Sequence, residues 1–309
     1  MSLAVNTTPV DFEKLGPATL RWTSSFRLRS QTIDQDFLIE VAHPPVSPRP
    51  GQTFPVVYVL DGNPAFALTA MAARAIQSGP FPLPPTLVVG IGYHFKRPED
   101  HALWGTLRLR DFTPCGDGLL EAQQPGASAR CGGAAAFLDF IENDVKPFLS
   151  TSFAADPDDQ TLVGGSLGGL FALHTLFTTP TAFQRYVAIS PAIYWAGGKL
   201  FDLEAALAAR ADDLPADLFL AAGALEEAHD PQQRFVSNLR ELETRLRARA
   251  YPSLEMTAHV FEGETHMSVY AGAVTRGLGA VFGGYRDMSD WSRWLHMTAA
   301  EREAAVAVS

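Results

Sequence analysis

The chain has little sulfur, little positive charge and no long apolar run, and each shortage removes a class of function. Two cysteines in 309 residues, Cys115 and Cys131, exclude a disulfide-stapled scaffold and a four-cysteine metal site. Twenty-four Lys and Arg against 34 Asp and Glu leave a net charge of −10, the sign opposite to that of a nucleic-acid binder. No apolar stretch approaches the roughly 18 residues of a membrane helix. The first 22 residues lack a basic segment followed by an apolar one, which predicts a cytoplasmic protein, or a periplasmic one only if an export signal has been removed. There is no internal repeat and no low-complexity tract. With 47% hydrophobic and 19% charged residues, the chain can bury a sizeable core. The partner these shortages leave is a small molecule, with no membrane and no nucleic acid; they say nothing of the oligomeric state.

What is present is an alternation of strand and helix signals. Residues 20–29 and 34–41 alternate apolar and polar side chains and predict an antiparallel hairpin. A loop with four prolines, HPPVSPRPGQ, follows. PVVYVLD (55–61) and TLVVGIG (86–92) are continuously apolar, as strands buried on both faces are, and a helix over 64–77 separates them. Further strands are expected at 161–165, 185–190, 217–223 and 254–261, with helices at 134–149, 167–177, 201–210, 231–250 and 268–282. The tail TAAEREAAVAVS reads as a short helix. No linker divides the series. The pattern predicts one α/β domain over 1–309, a doubly wound, mostly parallel sheet opened by the antiparallel hairpin. Between 93 and 133 the periodicity stops. A segment this long that starts at a strand end is expected to form an irregular lid or wall over a binding site.

The chemistry is concentrated in QTLVGGSLGGLFALHTLF, which contains Gly164-Gly165-Ser166-Leu167-Gly168. G-x-S-x-G alone is a weak pattern. Here a buried strand precedes it and a helix follows it, the setting of a nucleophile elbow. The sharp turn lifts the Ser166 hydroxyl out of the sheet edge and aims the helix N-terminus at the reacting carbonyl. A serine nucleophile needs a base, and the base needs an orienting acid, in the chain order Ser, acid, His. Of eight histidines, His259 and His266 are the candidates taken from beyond the last acid-bearing strand. His259 is inside the strand expected at 254–261, whereas His266 sits in the loop after it and can reach back. His174 falls two turns along the elbow helix and reads as a packing or surface residue. For the acid, Glu226, Glu227 and Asp230 crowd after the strand ending at Gly223. Glu226 is nearest the strand end and is preferred. Asp230, just before Pro231, equally fits a helix cap.

The second oxyanion donor is expected from the Asp61-Gly62-Asn63 turn, so the amides of Asn63 and Leu167 would converge on the carbonyl oxygen. Arg110 and Trp195, with Trp104, Arg108, Phe112 and Tyr194 nearby, are placed to contact a ring-bearing or acidic substrate. An Arg110–Asp111 pair that pins the loop is the alternative. Cys115 and Cys131 would bond only in an oxidising compartment. No metal-ligand spacing and no cofactor motif is present, so none is expected.

At these residues the chain resembles the putative-esterase branch of the α/β hydrolases, and within it the siderophore trilactone esterases. The resemblance runs through FPVVYVLDGNPAF, RDFTP, GGAAAFLDFIENDVKPF, LVGGSLGGLFALHTLF, AISPAIYWAGG, AAGALEE and THMSVYAGAVTRGL. It implies an α/β-hydrolase fold, Ser166 as nucleophile and His266 as base. It also puts Glu226 where similar enzymes carry an acid, although some members rely mainly on a Ser–His pair. Many relatives carry large residues where this chain has Gly165 and Leu167, which implies a more open acyl pocket. The expected function is a serine esterase acting on carboxylic esters, a trilactone among them. An acyltransferase or thioesterase on the same fold, or a non-catalytic binding protein, is the alternative.

Overall fold

A computed structural model describes residues 19–44, 51, 53–77, 83–124, 126–127 and 130–283. The helix expected in the final twelve residues, and most of the proline-rich loop, lie outside them. The alternating segments form β1 (Thr23–Ser30) and β2 (Gln35–Ala42), paired antiparallel, and β2 continues antiparallel onto β4 (Leu87–Tyr93). From there β3 (Phe54–Val59), β5 (Ala155–Gly165), β6 (Arg185–Ile189), β7 (Ala216–Gly223) and β8 (Leu254–Phe261) run parallel. The order across the eight-stranded sheet is β1-β2-β4-β3-β5-β6-β7-β8. β3 has β4 on one side and β5 on the other, so the order turns back there and opens a crevice at the strand carboxyl ends.

The central strands are apolar on both faces because helices cover both. Val57, Val59, Val163, Val187 and Phe219 pack with α1 (Gly62–Gln77) and α10 (Val269–Val281). The alternate residues Tyr58, Leu60, Leu162, Tyr186 and Leu218 belong to the larger core on the other face. That core includes α4 (Ala134–Phe140) and α6 (Leu167–Thr178). The helix expected over 134–149 continues beyond α4 through one π turn, Ile141–Val145, into α5 (Lys146–Phe153).

Two expectations change. The segment 93–133 is not irregular: it holds a 3₁₀ helix, Pro98–Leu103, then α2 (Trp104–Phe112) and α3 (Gly118–Gln123). α2 packs against α6 and α4, with the Phe112 ring tilted against those of Phe137 and Phe171 at 5.4 and 6.0 Å between centroids. The helix was hidden because much of α2 is polar side chains that pair inside the fold. The other change is at 195–208, where α7 (Trp195–Ala208) opens with three left-handed residues, Ala196, Gly197 and Gly198, before running straight. Two helices complete the chain order before β8: α8 (Glu226–His229) and α9 (Phe235–Arg249). Cys115 and Cys131 are free thiols. Among the described residues, no helix is long and apolar enough to cross a membrane.

Candidate active site

Three strands of the crevice end in left-handed residues that are not glycine: Asp61 (φ 54°), Ser166 (φ 56°) and Ser190 (φ 45°). Each such residue costs on the order of 1–3 kcal/mol, and their concentration at one end of the sheet marks the place where the fold holds strain. Ser166, with ψ −117°, is the turn between β5 and α6. Its N–H donates to the Ile189 carbonyl at 2.9 Å, and its carbonyl accepts from Leu170 and Ala192. The turn is so tight that a Cβ on Gly164 would lie 2.3 Å from the Gly168 carbonyl oxygen, so only glycine fits there.

His266 and Glu226 come from loops that the sheet edge ties together. The Leu225 N–H donates to the Glu264 carbonyl at 3.0 Å, and that of Ala224 to Phe261 at 2.9 Å, so the loop after β7 is hooked to the loop after β8. The hook brings His266 Nδ1 to 2.7 Å from Glu226 Oε2. Glu226 opens α8 with its side chain wholly buried, while His266 remains one-third exposed. The other carboxylate oxygen, Oε1, accepts from the Gly223 N–H and the Ser190 hydroxyl, both at 2.5 Å. Phe235, at the start of α9, lies against the imidazole at 4.6 Å between ring centroids. The two rival carboxylates are engaged elsewhere. Glu227 accepts from the Ser237 amide and hydroxyl at 2.7 and 2.5 Å, capping α9 from outside, and Asp230 accepts from the Gln232 amide.

On the other side of Ser166, Leu60 donates to Val163 at 2.9 Å, which sets the end of β3 beside the end of β5. Gly62 and Asn63 form the first turn of α1, and Leu167 the first turn of α6, so their amides have no acceptor within their own helices. The Asn63 side chain is held on β4: its Oδ1 accepts from Tyr93 N–H at 2.7 Å and its Nδ2 donates to the Tyr93 carbonyl at 3.1 Å.

The two residues expected to touch substrate each have a hydrogen-bond partner within the fold. The Arg110 guanidinium spends Nε and one Nη on Asp111, at 2.7 and 2.9 Å. Asp111 is buried and also accepts from the Tyr93 hydroxyl at 2.9 Å. Burial pushes its carboxyl above the usual range despite both donors. This is the pinning pair that sequence held as the alternative. Trp195 is buried as well. Its indole N–H donates to the Cys115 carbonyl at 2.9 Å, and next to it the Ala196 N–H donates to Asp117 at 2.5 Å. Both contacts tie the 93–133 segment to the start of α7. His174, on the elbow helix, is held partly buried, and burial lowers its pKa. Among the described residues, no cluster of three or more His, Cys, Asp or Glu side chains is placed to hold a metal.

Ser190 and Phe235 were not legible as site residues. RYVAIS reads as a plain strand, and nothing local says that its final serine turns toward a carboxylate 36 positions later. Ser190→Ala is expected to lower kcat about tenfold, the worth of roughly one charge-assisted hydrogen bond, with KM unchanged. Because the hydroxyl acts through Glu226, the same change in a Glu226→Gln background should cost much less. Fully additive losses would make Ser190 a packing residue.

A serine on a strained strand–helix turn, with a histidine–carboxylate pair on later loops of a mostly parallel sheet, is the arrangement of a serine hydrolase of the α/β type. The family model described as "Putative esterase" matches residues 30–281, and the chain belongs to that family as a serine esterase. It is 35% identical over 268 residues to the ferri-bacillibactin esterase BesA of Bacillus subtilis, covering 84% of this chain and 89% of that one. Among solved structures, the BES protein from Bacillus cereus superposes with a TM-score of 0.72 at 30% identity, over 89% of this chain and 98% of that one. The siderophore hydrolase EstA from Aspergillus nidulans superposes with a TM-score of 0.74 at 26% identity, over 89% and 99%.

Proposed function

We propose that Ser166, His266 and Glu226 are the catalytic triad, that the amides of Asn63 and Leu167 form the oxyanion hole, and that the substrate is a cyclic tri-ester siderophore. The 2.7 Å contact between His266 Nδ1 and Glu226 Oε2 carries the reading, because it orients the imidazole with Nε2 free for the serine. Ser166 Oγ attacks the ester carbonyl as His266 takes its proton. The carbonyl oxygen gains negative charge and meets first-turn amides of α1 and α6, where the helix dipoles also favour an anion. His266 then protonates the leaving alkoxide, which departs as the alcohol. Water, deprotonated by the same imidazole, releases the acid and restores Ser166. The buried Glu226 stabilises the imidazolium in both halves.

The tri-ester substrate is supported by the relatives, which are described as a ferri-bacillibactin esterase and a siderophore hydrolase. It is also supported by exposed apolar side chains next to the triad. Met267 is 83% and Leu225 39% exposed, and each neighbours a triad member in the chain. Such side chains suit a large ring-bearing ligand. The test is steady-state turnover on ferric and iron-free catecholate trilactones beside nitrophenyl acetate, with a fluorophosphonate probe to count reactive serines. The trilactone should be favoured by about 10²-fold in kcat/KM, since remote contacts are realised only with a large substrate. Equal or better turnover of the acetate would refute the substrate, and labelling anywhere but Ser166 would refute the triad.

A further inference from the structure

We infer that Arg108 is a positioning residue of the catalytic machinery: it holds and neutralises the Asp61 carboxylate, which would otherwise fill or repel the oxyanion site. The inference rests on the assignment of Ser166 and the two oxyanion amides above.

Asp61 stands where a helix cap stands. Its carbonyl accepts from Ala65 at 3.1 Å, so it begins α1, and an aspartate there ordinarily turns its carboxylate onto the first-turn amides. In this chain the carboxylate turns away. Both oxygens are taken by one guanidinium, Arg108 Nε to Oδ1 at 2.9 Å and Nη2 to Oδ2 at 2.7 Å. The left-handed backbone at Asp61 is the cost of that direction. The anion lies close to both helix ends that serve the oxyanion: it belongs to the residue before Gly62, and a Cβ on Gly168 would be 3.6 Å from Oδ2. Released, the carboxylate could cap the amides the reaction needs. Even without moving, it would oppose the charge that develops on the substrate oxygen, in a site where the pair is only 11% and 14% exposed and water screens weakly.

Arg108 is built to prevent both. It projects from α2 with its guanidinium 4.8 Å from the Trp104 ring and 5.7 Å from that of Phe112. α2 packs against the elbow helix α6. Burial works to lower the Arg108 pKa, but Asp61, together with Tyr93 and Tyr194, turns the net shift upward. With two donors committed and most of its surface covered, Arg108 is poorly placed to grip a ligand. The wall segment 93–133 thus serves the chemical step for every ester, whatever its size.

The test compares Arg108→Gln with the Asp61→Gly/Arg108→Gln double variant. Glycine accepts the φ of 54° and carries no group that can cap. Rates are taken on nitrophenyl acetate and on a catecholate trilactone, per serine titrated by fluorophosphonate. Arg108→Gln should lose about 10- to 100-fold in kcat on both esters, less than the loss of a whole oxyanion donor, with KM nearly unchanged. Removing the carboxylate as well should recover at least about tenfold of that. If Arg108→Gln does not fold, the double variant, which leaves no buried charge alone, decides by itself. It supports the inference if its kcat is within about tenfold of the parent on both esters, and overturns it if it folds yet stays as inactive as a lost oxyanion donor would make it. A loss confined to the trilactone and to KM would make Arg108 a ligand-binding residue, and unchanged rates would make the pair ornamental; either overturns the inference. A parent enzyme that is not labelled at Ser166 would instead bring down the function reading on which the inference stands.

Discussion

Ser166→Ala is expected to reduce ester hydrolysis by about 10⁵–10⁶-fold while leaving the fold intact, the range seen when the nucleophile of a serine hydrolase is removed. The hydroxyl contributes nothing to the core: the backbone of Ser166 is held by Ile189, Leu170 and Ala192, and those bonds survive the change. Its backbone geometry adds a second expectation. Ser166 sits at φ 56°, ψ −117°, strained for any residue with a Cβ. Ser166→Gly should therefore be as inactive as Ser166→Ala but more stable than the parent by about 1 kcal/mol, once the greater freedom of glycine in the unfolded chain is subtracted. Urea unfolding of the three proteins, with circular dichroism and turnover, checks both. Retained turnover in either variant removes Ser166 from the mechanism.

Glu226→Gln should lower kcat by about 10³–10⁴-fold, more than a lost negative charge alone suggests. The reason lies in the donors around the carboxylate. Gly223 N–H and Ser190 Oγ–H both donate to Oε1. A glutamine in this buried slot must present its oxygen to them, which turns its NH₂ toward His266 Nδ1. The imidazole must then accept at Nδ1 and carry its proton on Nε2, the tautomer that cannot take a proton from the serine. Glu227→Gln should instead cost about 1 kcal/mol of stability through the weakened cap on α9, with kcat preserved. Asp230→Asn should do little, since its carboxylate closes a local turn on the Gln232 amide, which an asparagine oxygen can also accept. If Asp230→Asn were the most damaging of the three, the acid would be Asp230; if none mattered, the enzyme would work through Ser166 and His266 alone.

The residues that were legible in sequence are those whose role shows in their immediate neighbours. G-x-S-x-G between a buried strand and an apolar helix can be read locally, because the turn requires glycine within two residues of the serine, and Gly164 meets that requirement in the structure. The strands themselves were legible: continuous apolar runs mark those covered on both faces, and alternation marks the antiparallel hairpin. The helices of the 93–133 segment were not. Arg108, Arg110 and Asp111 break the helical periodicity in a string of letters, yet Asp111 is buried in one ion pair and Arg108 nearly so in another. A polar side chain carries no local mark of the partner that will neutralise it.

By itself, the sequence determined the α/β class, the elbow and its serine, the late loop histidine and a cluster of three candidate acids. Each of these follows from periodicity, turn chemistry and chain order, which are properties of neighbouring residues. Tertiary structure decided which acid faces the histidine, that Ser190 and Gly223 hold it there, and that Arg108 serves Asp61 while Arg110 serves Asp111. Those choices depend on which side chains meet across strands and helices far apart in the chain. A buried charge or hydrogen-bonding group must find its counterpart wherever the fold places one.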